Sequence, residues 1–125
     1  MRILIIDDEA SLLFAMHDYL TRDGFDVECA LELEEAQALL SNLVFDAVIT
    51  DIRLTAMQNM DGLQILSFLR QRGSNTRAIV VTAYVTPQLV AEAERLGAER
   101  VLRKPAALAE LATVLRATPE VAQCS

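Results

Sequence analysis

A chain of 125 residues, 53% of them hydrophobic, is long enough for one domain to bury a core without disulfides or a structural metal. A net charge of −7 argues against sequence-independent attraction to nucleic acid or to an anionic membrane, and no segment has the uninterrupted apolar length of a membrane span. The two cysteines, Cys29 and Cys124, have neither the number nor the spacing of a metal site or disulfide framework and read as reduced thiols.

Met1-Arg2 lead straight into Ile3-Leu4-Ile5-Ile6, without the longer apolar region and cleavage site of a signal peptide, so a cytoplasmic location is expected. That continuous, branched run suits a strand buried on both faces. Leu12, Leu13, Met16, Tyr19 and Leu20 recur at helical spacing until Asp23-Gly24 stop the helix. Phe25 to Ala30 alternates as a strand, and Leu33, Ala36, Leu39 and Leu40 line one face of a second helix. Val44 to Thr50 supplies a third strand and Leu63, Ile65, Leu66 and Leu69 a third helix. Ala78 to Thr82 is a fourth strand. Pro87 suits the first turn of a helix whose inner face is Leu89, Ala93 and Leu96, with Gly97 as its cap. Arg100 to Leu102 is a short fifth strand, and Leu108, Leu111, Ala112 and Leu115 make the cleanest helical stripe. Strands alternating with helices in this way imply an α/β fold, a parallel sheet wrapped on both faces by right-handed crossovers. One domain is expected over residues 1–117, with 118–125 a tail or the start of a linker.

In an open parallel sheet, ligands bind at the carboxyl ends of the strands. The first strand ends in Asp7-Asp8, the third in Asp51, the fourth in Thr82-Ala83 and the fifth in Arg103-Lys104-Pro105. The second ends without a candidate, as an edge strand would. Each residue alone has a structural alternative. Alone, Asp7-Asp8 read as readily as helix caps and Asp51 as a turn former, whereas Thr82 reads first as a strand residue and Lys104, the single lysine, as a solvated loop charge. Their convergence on one sheet edge is harder to explain as separate turns. Crowded carboxylates repel unless a cation joins them, and hard oxygen ligands with room for water suit Mg2+. A carboxylate so held can attack a phosphoryl group and form an acyl phosphate, whose oxygens then need a hydroxyl, an ammonium and backbone N–H donors.

The segments "ILIIDDEASL", "AVITDIRL", "MDGLQIL", "IVVTAY" and "VLRKP" together resemble the receiver domain of bacterial two-component response regulators, over about Arg2 to Ala117. The resemblance implies a flavodoxin-like sheet of order 2-1-3-4-5 with five helices. It implies Asp51 as phosphoacceptor, Thr82 as switch hydroxyl and Lys104 as the phosphoryl-binding cation. Asp8 and Asp51 would ligate Mg2+ directly, the backbone carbonyl of Arg53 would be a third ligand, and Asp7 would act largely through water. A cis Lys104-Pro105 bond is also implied. The phosphoryl donor would be a phosphohistidine on a sensor histidine kinase or phosphotransfer protein, or a small-molecule phosphodonor. The domain would then be no enzyme beyond catalysing its own Mg-dependent phosphorylation and dephosphorylation. His17, within the first helix, reads as a surface or boundary residue and not as that donor.

The implied output is a population shift of the face made by the fourth helix, fifth strand and fifth helix. Its readers would be a downstream protein target, a fused output domain or a phosphorylation-dependent homodimer, with no direct nucleic acid or membrane contact. Glu92, Glu94, Arg95, Glu99 and Arg100 put mixed charge on or near that face, and an ordinary solvated surface is an equal reading.

Two positions depart from the family pattern. Val101 stands where receivers carry Tyr or Phe, and Tyr84 is placed to substitute for it or to screen the phosphoryl group. Thr55 stands where proline is expected, and three extra residues precede Gly62, so a mobile 55–60 loop is expected. Among other classes, a phosphatase forming an aspartyl phosphate would need a second acid two residues after the nucleophile, where Arg53 stands, and a cap domain for which there is no room. An inert receiver-like interaction module is the third reading, and retention of Asp7, Asp8, Asp51, Thr82 and Lys104 weighs against it.

Overall fold

A computed structural model of the chain describes residues 1–51, 61–83, 85–105 and 108–117, with positions 61 and 62 described by backbone alone. The expectations placed on the Arg53 carbonyl, on Thr55 and the 55–60 loop, on Tyr84, on Cys124 and on the 118–125 tail lie outside these residues.

The strands are β1 (Arg2–Ile6), β2 (Asp26–Ala30), β3 (Ala47–Thr50), β4 (Arg77–Thr82) and β5 (Arg100–Arg103). They pair in parallel in the order β2-β1-β3-β4-β5, as the family resemblance implies. The helices are α1 (Ala10–Arg22), α2 (Leu33–Asn42), α3 (Asp61–Gln71), α4 (Pro87–Arg95) and α5 (Leu108–Arg116).

Side chains of successive strand residues point to opposite faces, so each buried strand feeds two cores. Leu4, Ile6, Val48, Ala78 and Val80 pack with Ala36 and Leu40 of α2, Ile65, Leu66 and Leu69 of α3, and Leu89 and Ala93 of α4. The alternate residues Ile3, Ile5, Ile49, Ile79, Val81 and Leu102 pack with Leu13, Met16 and Leu20 of α1 and with Leu111, Ala112, Val114 and Leu115 of α5. That division, α2, α3 and α4 on one face and α1 and α5 on the other, makes the sheet doubly wound.

Two details differ from the sequence reading. Val44 is not in the third strand: it is 86% exposed, and β3 begins at Ala47. The cause is Asp46, whose Oδ2 accepts the Arg2 backbone N–H at 2.7 Å while its own N–H donates to the Arg2 carbonyl. This fixes where the chain joins the sheet and leaves Val44 outside. Tyr19, taken as part of the inner stripe of α1, is exposed, because Leu13, Met16 and Leu20 already fill that stripe.

Thr86 caps α4 by accepting the Leu89 N–H, Pro87 holds its first turn, and Gly97 leaves it at φ 105°. Open space surrounds the position a Gly97 Cβ would take, so only the backbone angle resists substitution. Gly97→Ala is expected to lower unfolding free energy by about 1–2 kcal/mol in a denaturant titration, with no change in m-value.

Candidate functional site

The pleat explains how three distant residues come together. Asp7 follows β1 in step with Ile3 and Ile5, Asp51 follows β3 in step with Ala47 and Ile49, and Lys104 follows β5 in step with Leu102. All three therefore leave the sheet on the α1 and α5 face. Register completes the alignment: Ile6 pairs with Thr50, and the Asp51 N–H donates to the Ile6 carbonyl at 3.2 Å. At the far side, the Lys104 N–H donates to the Thr82 carbonyl at 2.9 Å. The Lys104-Pro105 peptide is cis, as expected.

Lys104 Nζ donates to Asp7 Oδ2 and to Asp51 Oδ2, each at 2.7 Å. Side-chain exposure is 17% for the lysine, 5% for Asp7 and 9% for Asp51, so this is no solvated loop charge. Burial acts to lower the Lys104 pKa, but the hydrogen bonds and charges of Asp51 and Asp7 outweigh it and the net shift is upward. The ammonium stays charged at neutral pH.

Asp7 also serves the local chain, since its Oδ1 accepts the Glu9 N–H at 2.9 Å. It is not the cap of α1: Glu9 holds that position, without a side-chain cap bond. Asp8 is exposed beside the pair. Partial desolvation and then the negative charges of Asp7 and Asp51 raise its pKa, against a smaller opposing effect of Lys104. The three carboxylates thus sense one another electrostatically. Thr82 is fully buried at the end of β4, continuing the side of the strand that carries Ala78 and Val80. The structure therefore brings Asp7, Asp51 and Lys104 into direct contact, sets Asp8 at their edge, and places Thr82 at the adjoining strand end.

Among the described residues no group of three or more His, Cys, Asp or Glu side chains closes around one point. That does not conflict with the donor chemistry of the site. Mg2+ takes one or two carboxylates and retains several waters, so paired, partly desolvated aspartates with a third acid at the rim fit it without a full protein cage. Asp7, Asp8 and Asp51 satisfy that requirement.

Sequence reading missed one constellation at the opposite end of the sheet. Glu99, grouped with the surface charges of the output face, is instead 16% exposed and bound bidentately to Arg77. The available signal was an arginine opening an otherwise apolar strand, with an acid just before the strand that pairs with it. Glu92 and Arg95, by contrast, form an exposed pair three residues apart on α4, an ordinary solvated contact.

Residues 3–116 match the family described as the response regulator receiver domain. The chain is 34% identical over 115 residues to the regulatory protein AtoC of Escherichia coli strain K12, covering 92% of this chain and 24% of that protein. It is 34% identical over 117 residues to the transcriptional regulatory protein QseB of Escherichia coli O157:H7, covering 94% of this chain and 52% of that one. Among solved structures, a response regulator from Burkholderia pseudomallei, crystallised with a phosphorylated aspartic acid, calcium and citrate, superposes with a TM-score of 0.83. That match has 24% identity and covers 98% of this chain and 71% of the other. The chain thus spans about a quarter of the first and about half of the second of these two curated relatives. No helix among the described residues is long and apolar enough to cross a membrane.

Proposed function

The chain belongs to the response regulator receiver domain family, the signalling switches of two-component systems, and from that premise we propose that Asp51 is its phosphoacceptor. The observation that carries the reading is the Lys104 bridge to Asp51 and Asp7 in a partly desolvated pocket. A structural turn aspartate needs no such bridge to a lysine 53 positions away.

An Asp51 carboxylate oxygen attacks the phosphorus of a phosphohistidine on a sensor kinase or phosphotransfer protein, or of a small phosphodonor. The new P–O bond forms as the bond to the leaving group breaks, and with phosphohistidine the imidazole nitrogen keeps the electron pair. Lys104, already 2.7 Å from Asp51 Oδ2, is placed to neutralise charge on the transferred oxygens, and Thr82 is the hydroxyl donor at the adjoining strand end. Asp7, Asp8 and Asp51, with the Arg53 carbonyl, are the residues that would hold Mg2+, Asp7 largely through water. When bound, that ion supplies charge neutralisation between the carboxylate and the incoming phosphoryl group. Attack of water on phosphorus releases phosphate and restores the carboxylate, so the domain catalyses its own phosphorylation and dephosphorylation and no other reaction.

The receiver unit is taken as residues 1–117, with 118–125 a tail or linker start, in the cytoplasm. Its readers are a downstream target, a fused output domain or a second copy of the chain. An intact-mass measurement after incubation with Mg2+ and a small phosphodonor tests the reading. The wild type is expected to gain one phosphoryl group and Asp51→Asn none. A wild type that gains nothing, where a known receiver does, would favour the inert module.

A further inference from the structure

The end of the sheet remote from Asp51 carries a second, partly buried ionic centre. Arg77, the first residue of β4, donates from Nε and Nη2 to the two Glu99 oxygens, each at 2.7 Å. Its remaining donors reach the last turn of α5: Nη1 to the Leu115 carbonyl and Nη2 to the Val114 carbonyl, both at 2.8 Å. The two side chains are 13% and 16% exposed. Carbonyls in the last turn of a helix are short of intrahelical partners and carry the negative end of the helix dipole; here the Val114 carbonyl also accepts the Ala117 N–H at 3.2 Å, shared with the Thr113 carbonyl. A guanidinium held flat by a bidentate carboxylate is well shaped to satisfy two of them. The Arg77 and Glu99 backbones are themselves fixed, by the Asp46 carbonyl at 3.0 Å and the Ala78 carbonyl at 2.7 Å.

Among the described residues, α5 has one other polar tether at this end, from Arg116 to Asp23, with its guanidinium stacked over Phe25 at 5.1 Å. That pair is 52% and 34% exposed and therefore holds less firmly. The same strand that begins at Arg77 ends at Thr82, whose carbonyl holds Lys104. β4 is thus one paired, buried element with the candidate phosphorylation site at its carboxyl end and the grip on α5 at its amino end.

We propose that Arg77 acts as a clasp that passes the state of the Asp51 site, read as above, to the C-terminal turn of α5. Its two states are a docked turn, with the Val114 and Leu115 carbonyls on the guanidinium, and a frayed turn, with those carbonyls in water. Modification at Asp51 shifts Thr82 and Lys104, hence β4 and β5, and with them the Arg77–Glu99 platform on which the turn rests. The clasp thereby sets whether the turn from Val114 to Arg116 is held or released. Arg77 is a positioning residue in this scheme and touches no reacting atom.

Hydrogen exchange of the amides of residues 112–117 tests it, in the full chain with Mg2+, with and without the phosphoryl mimic beryllofluoride. Intact mass after a small phosphodonor is measured in parallel. The wild type is expected to gain one phosphoryl group and to change its exchange in this turn by about tenfold on adding the mimic. Arg77→Met is expected to take up phosphoryl normally, exchange fast in both conditions and lose the response. Glu99→Gln, which keeps the carbonyl bonds and is the milder variant, is expected to respond at an intermediate level. Arg116→Ala is the control that a merely structural role would make indistinguishable from Arg77→Met, and it is expected to retain the full response. A wild type that takes up phosphoryl but shows no response in this turn overturns the clasp alone, as does an undiminished response in both Arg77→Met and Glu99→Gln. A wild type that takes up no phosphoryl overturns the reading of Asp51 and the signalling role of the clasp with it.

Discussion

Replacing Lys104 by methionine is expected to lower unfolding free energy by about 3 kcal/mol, far beyond the effect of removing a surface charge. The variant keeps an unbranched apolar stem and loses the ammonium that Asp7 and Asp51 share at 2.7 Å. Two carboxylates of 5% and 9% side-chain exposure then lose the ammonium they share. If Lys104 were a solvated loop residue, the loss would fall within about 0.5 kcal/mol. Urea titration of Lys104→Met beside the wild type decides between these. Two further measurements identify the cause. Adding Asp51→Asn to Lys104→Met is expected to recover part of the loss, since one of the opposed charges is gone. Millimolar Mg2+ is expected to stabilise Lys104→Met more than it stabilises the wild type, by mass action on the same carboxylates. Phosphoryl uptake by the variant is expected to fall by about a hundredfold or more, the scale of losing an electrostatic donor at a transferring group.

The site was legible in the sequence because three features of a parallel α/β sheet act together. Strands end at one edge, side chains alternate, and buried strands leave no other place for charged groups. Asp7, Asp51 and Lys104 needed nothing more than that to be placed in one group. What the sequence left open was how they would meet. The pairing of Lys104 with both aspartates depends on the parity that puts Ile5, Ile49 and Leu102 on one face, which no single segment displays.

The opposite end of the sheet was harder to read for a physical reason. Arg77 and Glu99 look like solvated charges in sequence, because charge is ordinarily exposed. Their burial is decided by where α5 stops, a tertiary fact fixed by its Leu111 and Leu115 packing and not by either residue's neighbours. The start of β3 failed for a related reason. Val44 has strand propensity and an apolar side chain, but the Asp46 bonds to Arg2 set the register, and propensity yields to register when only one alignment satisfies the backbone.

Burial rather than hydrophobicity should also govern the core, and a pair of apolar truncations separates the two. Leu4→Ala is expected to cost about 4 kcal/mol and to lower Tm by about 15 °C, whereas Phe14→Ala is expected to stay within about 0.5 kcal/mol of the wild type. Leu4 lies on β1, between β2 and β3, with no accessible surface, and packs in the cluster that joins the sheet to α2 and α3. Its loss leaves a cavity walled by strands on both sides, which cannot collapse without breaking the register that aligns Asp7 with Asp51. Phe14 is the larger side chain but is 73% exposed on α1, so truncation removes little buried area. Thermal unfolding of the two variants side by side checks this. A Leu4→Ala loss below about 1.5 kcal/mol would mean that β1 can shift to fill the space. Because Asp7 is the residue that continues β1, such a shift would carry its carboxylate away from Lys104, so the same variant is expected to lose phosphoryl uptake only if the strand moves.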